Sequence, residues 1–168
     1  MYFTDMNNIH KYLLGKPVKE GILKYFPNYC VEFIKSNDKN KCLRIYQTEG
    51  WGFWLKKTLI GSIDLELKKE IKTVDIPFWY CNDKNTIDKL KLKYNEPPTD
   101  DITANNTKKI LFDYAEYFAK INNCNYLQRD VHNNLREYKD DINKLGFILN
   151  GKKADDHCAW LQTFKKIS

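Results

Sequence analysis

The sequence predicts an α+β fold, and three observations predict it. Ile110, Leu111, Tyr114, Ala115, Phe118 and Ile121 recur at three- and four-residue spacing, the stripe of an amphipathic helix over 103–121. Between Tyr29 and Cys81 the pattern changes to short β-branched and aromatic runs with brief polar connections, which favours antiparallel pairing. After the long helix the order strand, helix, strand implies a βαβ-like half that must pack against a sheet from the earlier residues.

Taken in order, Met1-Tyr2-Phe3 reads as a short first strand, and Asp5 as the cap of a helix through Ile9, Tyr12 and Leu13 to Gly15. Pro17 suits the first turn of a second helix carrying Val18, Ile22, Leu23 and Phe26. Strands follow at 30–34, 43–46, 51–55, 59–65 and 71–80. Residues 82–102 are irregular, with Lys84, Lys89, Lys91 and Lys93 ahead of Glu96-Pro97-Pro98, and a connection of that length reads as a flap or insertion. Asp101 or Thr103 can cap the long helix and Asn122-Asn123 can end it. The next strand, 125–131, sets Tyr126, Gln128 and Asp130 on one side and Leu127, Arg129 and Val131 on the other. Asn133 or Asn134 caps a late helix with the face Leu135, Tyr138, Ile142 and Leu145, and Gly146 stands where a left-handed residue ends it. Phe147-Ile148-Leu149 restarts a strand, Gly151-Lys152 marks a turn, and 159–164 is the last strand.

At 168 residues the chain is read as one domain, with 1–81 holding the first helices and strands, 82–102 the insertion and 103–168 the second half. An apolar fraction of 42% with 14% aromatics excludes a disordered chain, which leaves the 30% charge for the surface. A formal net charge of +6 suits an acidic ligand, yet it falls short of the dense basic patch of a dedicated nucleic-acid binder. Five scattered cysteines form no Cys-x-x-Cys pair, so no metal is expected. The amino end is polar and no apolar run spans a bilayer, so the expected setting is reducing and cytoplasmic, away from a membrane.

The helices and strands of the second half carry a resemblance. The segment 110–116 is similar to the central helix of the GNAT superfamily of acyl-CoA-dependent N-acyltransferases, where a leucine and an alanine face the sheet. Asn133/Asn134 through Leu145-Gly146-Phe147 resembles that family's late helix, and Asp155-Asp156 before Trp160 its acid-then-tryptophan ending. The resemblance covers about 59–164 and implies a mixed, mostly antiparallel sheet splayed at its centre, with helices on both faces. It also implies acetyl-CoA, or another acyl-CoA, as co-substrate and no metal.

What the resemblance implies for the site follows from that cofactor. The pantetheine arm lies between two splayed parallel strands, here 73–76 and 126–128, so Val74 and Ile76 are cofactor-binding candidates. The pyrophosphate sits at the amino end of the central helix, where unpaired N–H groups favour anions, so Ala104, Asn105, Asn106, Thr107 and Lys108 surround it, and Asn134 joins them from the late helix. The family's phosphate loop is glycine-rich, whereas this chain has no glycine between Gly61 and Gly146. Many members place a tyrosine four residues before the late glycine, where this chain has Ile142. Tyr138, one turn earlier, is the candidate general acid or else a core aromatic. Asp75 is the candidate general base or else a solvated strand carboxylate.

His132 beside Asp130, and His157 beside Asp155-Asp156, lack a third metal ligand in sequence. Cys124 and Cys158 read better as small buried hydrophobes than as nucleophiles. Trp51, Trp54, Trp79 and Tyr80 read as sheet core ahead of an acceptor pocket or base-stacking surface. Three functions follow: N-acyl transfer to a small-molecule or protein amine by a monomer or homodimer; a catalytically degenerate binding or assembly protein on the same fold; and, weakest, a nucleic-acid partner of the Lys84–Lys93 flap.

Overall fold

The computed structural model describes residues 2–15, 23–34, 37–82, 99–132, 143–153 and 160–167. They fall into two compact units, Met1–Asp64 with Phe78–Tyr114, and Leu65–Pro77 with Ala115–Ser168.

The first unit opens on helix α1, Tyr2–Gly15, rather than on a strand. Met6, Ile9 and Leu13 are its buried stripe. Helical continuity therefore overrides the extended reading of Tyr2-Phe3 and leaves Asp5 inside the helix instead of capping it. The helix expected from Pro17 lies mostly outside the described residues, at 16–22, and Phe26 belongs to a strand instead. That strand is β1 (Lys24–Phe26), followed by β2 (Tyr29–Ile34), β3 (Asn40–Glu49), β4 (Lys56–Lys68) and β5 (Thr73–Cys81). Their order is β1-β2-β3-β4-β5. The β1–β2 pair is antiparallel from Lys24↔Val31 to Phe26↔Tyr29, its turn made by Asn28 at φ 65°. The β2–β3 pair is antiparallel from Tyr29↔Gln47 to Ile34↔Cys42.

Residues 51–55 are not a strand. Gly50 at φ 82° and Gly52 at φ 60° turn the chain into a short 3-10 segment, Gly52–Trp54. Trp51, Phe53 and Trp54 are consequently exposed (81%, 105% and 81%), which corrects the core reading of both tryptophans, whereas Trp79 is buried. The long helix is α2 (Asp101–Ile121), and its first part packs Phe112 edge-on against Trp79 and Tyr114 edge-on against Phe33, with ring centroids 5.4 and 5.3 Å apart. Asp113 accepts bonds from Lys109 (2.6 Å) and pairs with His10 of α1 (2.8 Å). Burial pushes this carboxyl up, but those two partners outweigh it and hold it below the usual carboxylate range.

The second unit takes the end of β4, a 3-10 turn Lys69–Ile71 closed by Lys72 at φ 49°, and the start of β5. It adds β6 (Tyr126–His132), β7 (Ile148–Lys153) and β8 (Trp160–Lys166), in the order β4-β5-β6-β8-β7. β5 and β6 are parallel, while β8 is antiparallel to both of its neighbours. Gly151-Lys152 is not a turn: both lie within β7, whose pairing with β8 shifts register between Leu149 and Lys153. Ala115, Phe118 and Ala119 bury the last turns of α2, while Ile121, expected on that stripe, is exposed and Cys124 is buried after it. Asn123, at φ 56°, ends the helix as its sequence suggested. The late helix expected over Asn134 and Tyr138 falls on residues outside the described ones. Its stop is present: Gly146 adopts φ 92° and its N–H donates to Asn143 O at 2.9 Å.

Candidate functional site

The residues expected at the site fall in two places, one in each unit. The first is the amino end of α2. Its cap is Asp100, one residue ahead of the expected Asp101 and three ahead of Thr103. One carboxylate oxygen accepts the Thr103 N–H at 2.8 Å and the other the Thr103 hydroxyl at 3.0 Å. The spacing decides this, because a cap side chain reaches the amide three residues on. The bond from the Thr103 N–H holds Asp100 below the usual carboxylate range; burial opposes it, and the Thr103 hydroxyl and neighbouring amides add to the lowering. A carboxylate of the chain itself therefore occupies amides that the sequence reading left bare for a diphosphate.

Of the residues expected around that diphosphate, Ala104 and Thr107 face inward and are buried. The Thr107 hydroxyl donates to Thr103 O at 2.7 Å, and the Cys81 thiol donates to Ala104 O at 3.5 Å. Asn105 is exposed, while Asn106 and Lys108 are half-buried. Asn106 lines a shallow hollow with Met6, Asn7, His10, Lys109 and Ile110.

The second place is where β5 and β6 part. Thr73↔Tyr126, Val74↔Leu127 and Asp75↔Gln128 pair in parallel, and there the ladder stops, although within this unit β5 runs on through Ile76 and Pro77 and β6 to His132. The expected pair of strands is thus present, but 73–75 with 126–128 is its closed end and the opening begins at Ile76. The carbonyls of Ile76 and Pro77 accept instead from Nη1 of Arg129, at 2.9 and 2.5 Å. Val74 and Ile76 have fully buried side chains, Val74 lies in the paired segment, and the Ile76 carbonyl is the one that accepts from Arg129.

Asp75 closes the paired segment, with its side chain 16% exposed and 3.6 Å from Lys68 Nζ. Burial pushes its carboxyl above the usual range; Lys68 opposes this, and Asp130 and Glu66 add to it. A carboxylate so placed holds a proton more readily than a solvated one, which is what a base for an ammonium requires.

Among the described residues no group of three His, Cys, Asp or Glu gathers to hold a metal. Burial raises the Cys124 thiol, with Lys69 opposing, and pushes Cys42 up to about 11 with help from Asp64, so both stay protonated at neutral pH. Cys158, His157 and Tyr138 lie outside the described residues, and the side chain of His132 is likewise not described. No described helix is long and apolar enough to cross a membrane. Sequence reasoning missed Asp100 and Arg129. Each left a signal: an acid three residues before Thr103, and an arginine on the apolar side of a strand with Leu127 and Val131.

No protein-family model and no curated protein matches the sequence significantly. Solved structures do match. Nourseothricin acetyltransferase aligns with 77% of this chain and 66% of its own, a little under two thirds of its length, at 13% identity and TM-score 0.55. A protein assigned to the acyl-CoA N-acyltransferases from Klebsiella pneumoniae aligns over 77% and 74%, at 13% identity and TM-score 0.51. One assigned to the acetyltransferases of the GNAT family from Desulfovibrio desulfuricans aligns over 77% and 70%, at 7% identity and TM-score 0.52. At such identities the likeness is one of fold, and it agrees with the mixed sheet: the chain has the GNAT fold.

Proposed function

We propose that this chain is an acyl-CoA-dependent N-acyltransferase that moves an acyl group, acetyl first among candidates, to an amine acceptor by direct attack. One observation carries the reading: the parallel ladder of β5 and β6 stops after Asp75↔Gln128 while both strands continue. Such an opening leaves strand backbone without a strand partner, the kind of edge that a pantetheine amide pairs with, although Arg129 already holds the carbonyls of Ile76 and Pro77. In the reaction the acceptor nitrogen bonds to the thioester carbonyl carbon and the carbon–sulfur bond breaks. Asp75 takes the proton lost by nitrogen, and Tyr138 gives one to the departing thiolate. Holding amine and thioester in contact supplies much of the rate. The acceptor is a small-molecule or protein amine, and the protein works in the cytoplasm as a monomer or homodimer.

The diphosphate of the cofactor belongs at the amino end of α2, beside Asn105, Asn106 and Lys108, and there it meets Asp100. Asp100→Asn keeps a good cap while removing the negative charge. The variant should bind acetyl-CoA more tightly, by about fivefold at low salt and less as salt rises; equal affinity would place the diphosphate elsewhere. The same aspartate favours a second reading, a GNAT-fold binding or assembly protein that transfers nothing, because an ionised carboxylate already takes the Thr103 N–H. Thiol release from acetyl-CoA across a panel of aminosugars, polyamines and peptide amines separates the two. Amine-dependent release supports transfer, and none with any amine supports the second reading.

A further inference from the structure

Arg129 is a buried cation whose recognition edge is unused. The residue is only 8% exposed. Both hydrogen bonds from its guanidinium to described residues leave from Nη1, toward Ile76 O and Pro77 O. Nε is buried without a hydrogen-bond partner, and Nη2 makes no bond to a described residue. Among the described residues no carboxylate pairs with this guanidinium; the ion pairs of its unit are Lys68–Asp75 and Lys165–Glu116.

A guanidinium has five N–H donors in a rigid plane. Using Nη1 on two carbonyls fixes that plane, and it leaves Nε–H and the nearer Nη2–H as a parallel pair. That pair is the fork that a carboxylate accepts with both oxygens. Two β5 carbonyls would be a sufficient reason for a neutral donor here. They are a poor reason for a buried charge, which costs free energy unless an anion meets it. The position adds a second argument, because Arg129 follows Gln128, the last residue of β6 paired with β5, and so stands at the mouth of the parting.

We infer that the Nε–Nη2 edge of Arg129 is a carboxylate-binding site, and that the substrate handled at the parted strands carries a carboxylate. The substrate role rests on the acyltransferase reading; the anion site itself does not. Two sources share this chemistry. The carboxylate is the far end of a dicarboxylic acyl group on coenzyme A, or it belongs to the acceptor, which is then an amino acid rather than a simple amine.

The test uses the full chain and three variants. Arg129→Lys keeps the charge without the fork, Arg129→Gln keeps polar length without the charge, and Lys68→Gln is a control cation in the same unit. Folding of each variant is checked by circular dichroism. Thermal shift with succinate and with glutamate, no coenzyme A present, reads the site alone. Stabilisation of wild type and Lys68→Gln that is lost in Arg129→Lys supports it; equal shifts in wild type and Arg129→Lys overturn it, as does no shift in wild type. Affinities for succinyl-CoA and acetyl-CoA, and kcat/KM for glutamate against its decarboxylated amine, then assign the source. A preference of roughly ten- to hundredfold in one arm, abolished by Arg129→Lys, identifies it. No preference in either arm overturns the substrate role. If neither coenzyme A ester binds while the carboxylate shifts persist, the acyltransferase reading fails and the anion site stands. Should Arg129→Gln not fold, Arg129→Lys still decides each arm.

Discussion

Asp75→Asn should lower the rate of acyl transfer by about a hundred- to ten-thousandfold, the range lost with a general base, and leave acetyl-CoA affinity near the wild-type value. The replacement preserves shape and removes the only atom type able to take the proton. The pH profile adds a check with a definite sign. Burial raises Asp75 in the folded protein, so the acid limb of the wild-type rate should fall above the pH at which an ordinary aspartate titrates. Stability should respond in step. A carboxyl raised on folding favours the protonated native state, so its ionisation costs stability as pH rises from the unfolded value through the folded one. Asp75→Asn should therefore gain stability over wild type with rising pH and level off above the folded value. The Lys68 pair, half exposed at 3.6 Å, offsets this by less than about 1 kcal/mol. A variant that keeps its activity, or whose stability advantage shrinks with rising pH, contradicts the assignment.

Gly61→Ala should destabilise the protein by about 1–3 kcal/mol, the cost of overpacking a filled core. In a chain of this size that is a drop of roughly 3–10 °C in Tm. A methyl at position 61 of β4 would fall inside van der Waals contact of Thr107 Cγ2 and come within 3.2 Å of Leu111 Cδ1, both on α2. Thr107 has little room to yield: it is β-branched, fully buried, and tied by its hydroxyl to Thr103 O. The sign is informative, because alanine in a strand is otherwise favoured over glycine by about 0.5–1 kcal/mol of chain entropy. Adding Thr107→Ser should recover most of the loss, since it removes the methyl and keeps the hydroxyl. A Gly61→Ala protein as stable as wild type, or a double variant no better than the single, would show that β4 and α2 do not meet there.

The elements legible in the sequence were those whose pattern had one physical reading. The stripe Ile110, Leu111, Tyr114, Ala115, Phe118 can only be a helix face, and Asn123 and Gly146 supplied stops that the backbone uses at positive φ. Errors arose where two rules competed. At 51–55 the aromatic run outweighed Gly50 and Gly52, yet the turn they make expels the aromatics. At the amino end, β-propensity in Tyr2-Phe3 lost to a helical stripe continuing through Met6. At 99–101 two adjacent aspartates offered caps, and only the distance to the Thr103 N–H separates them. The site was half legible for a similar reason. The parallel partners of 73–75 follow from strand order, whereas the bonds from Arg129 to the carbonyls of Ile76 and Pro77 join residues far apart in sequence, which no local pattern reports.

Isothermal titration of the full chain with acetyl-CoA tests the central claim most directly. The account predicts one site per chain with a Kd between about 1 μM and 1 mM, tightened by Asp100→Asn. Absence of binding heat from either protein up to several mM would contradict it, because an opening between parallel strands that admits no thioester cannot be the seat of acyl transfer.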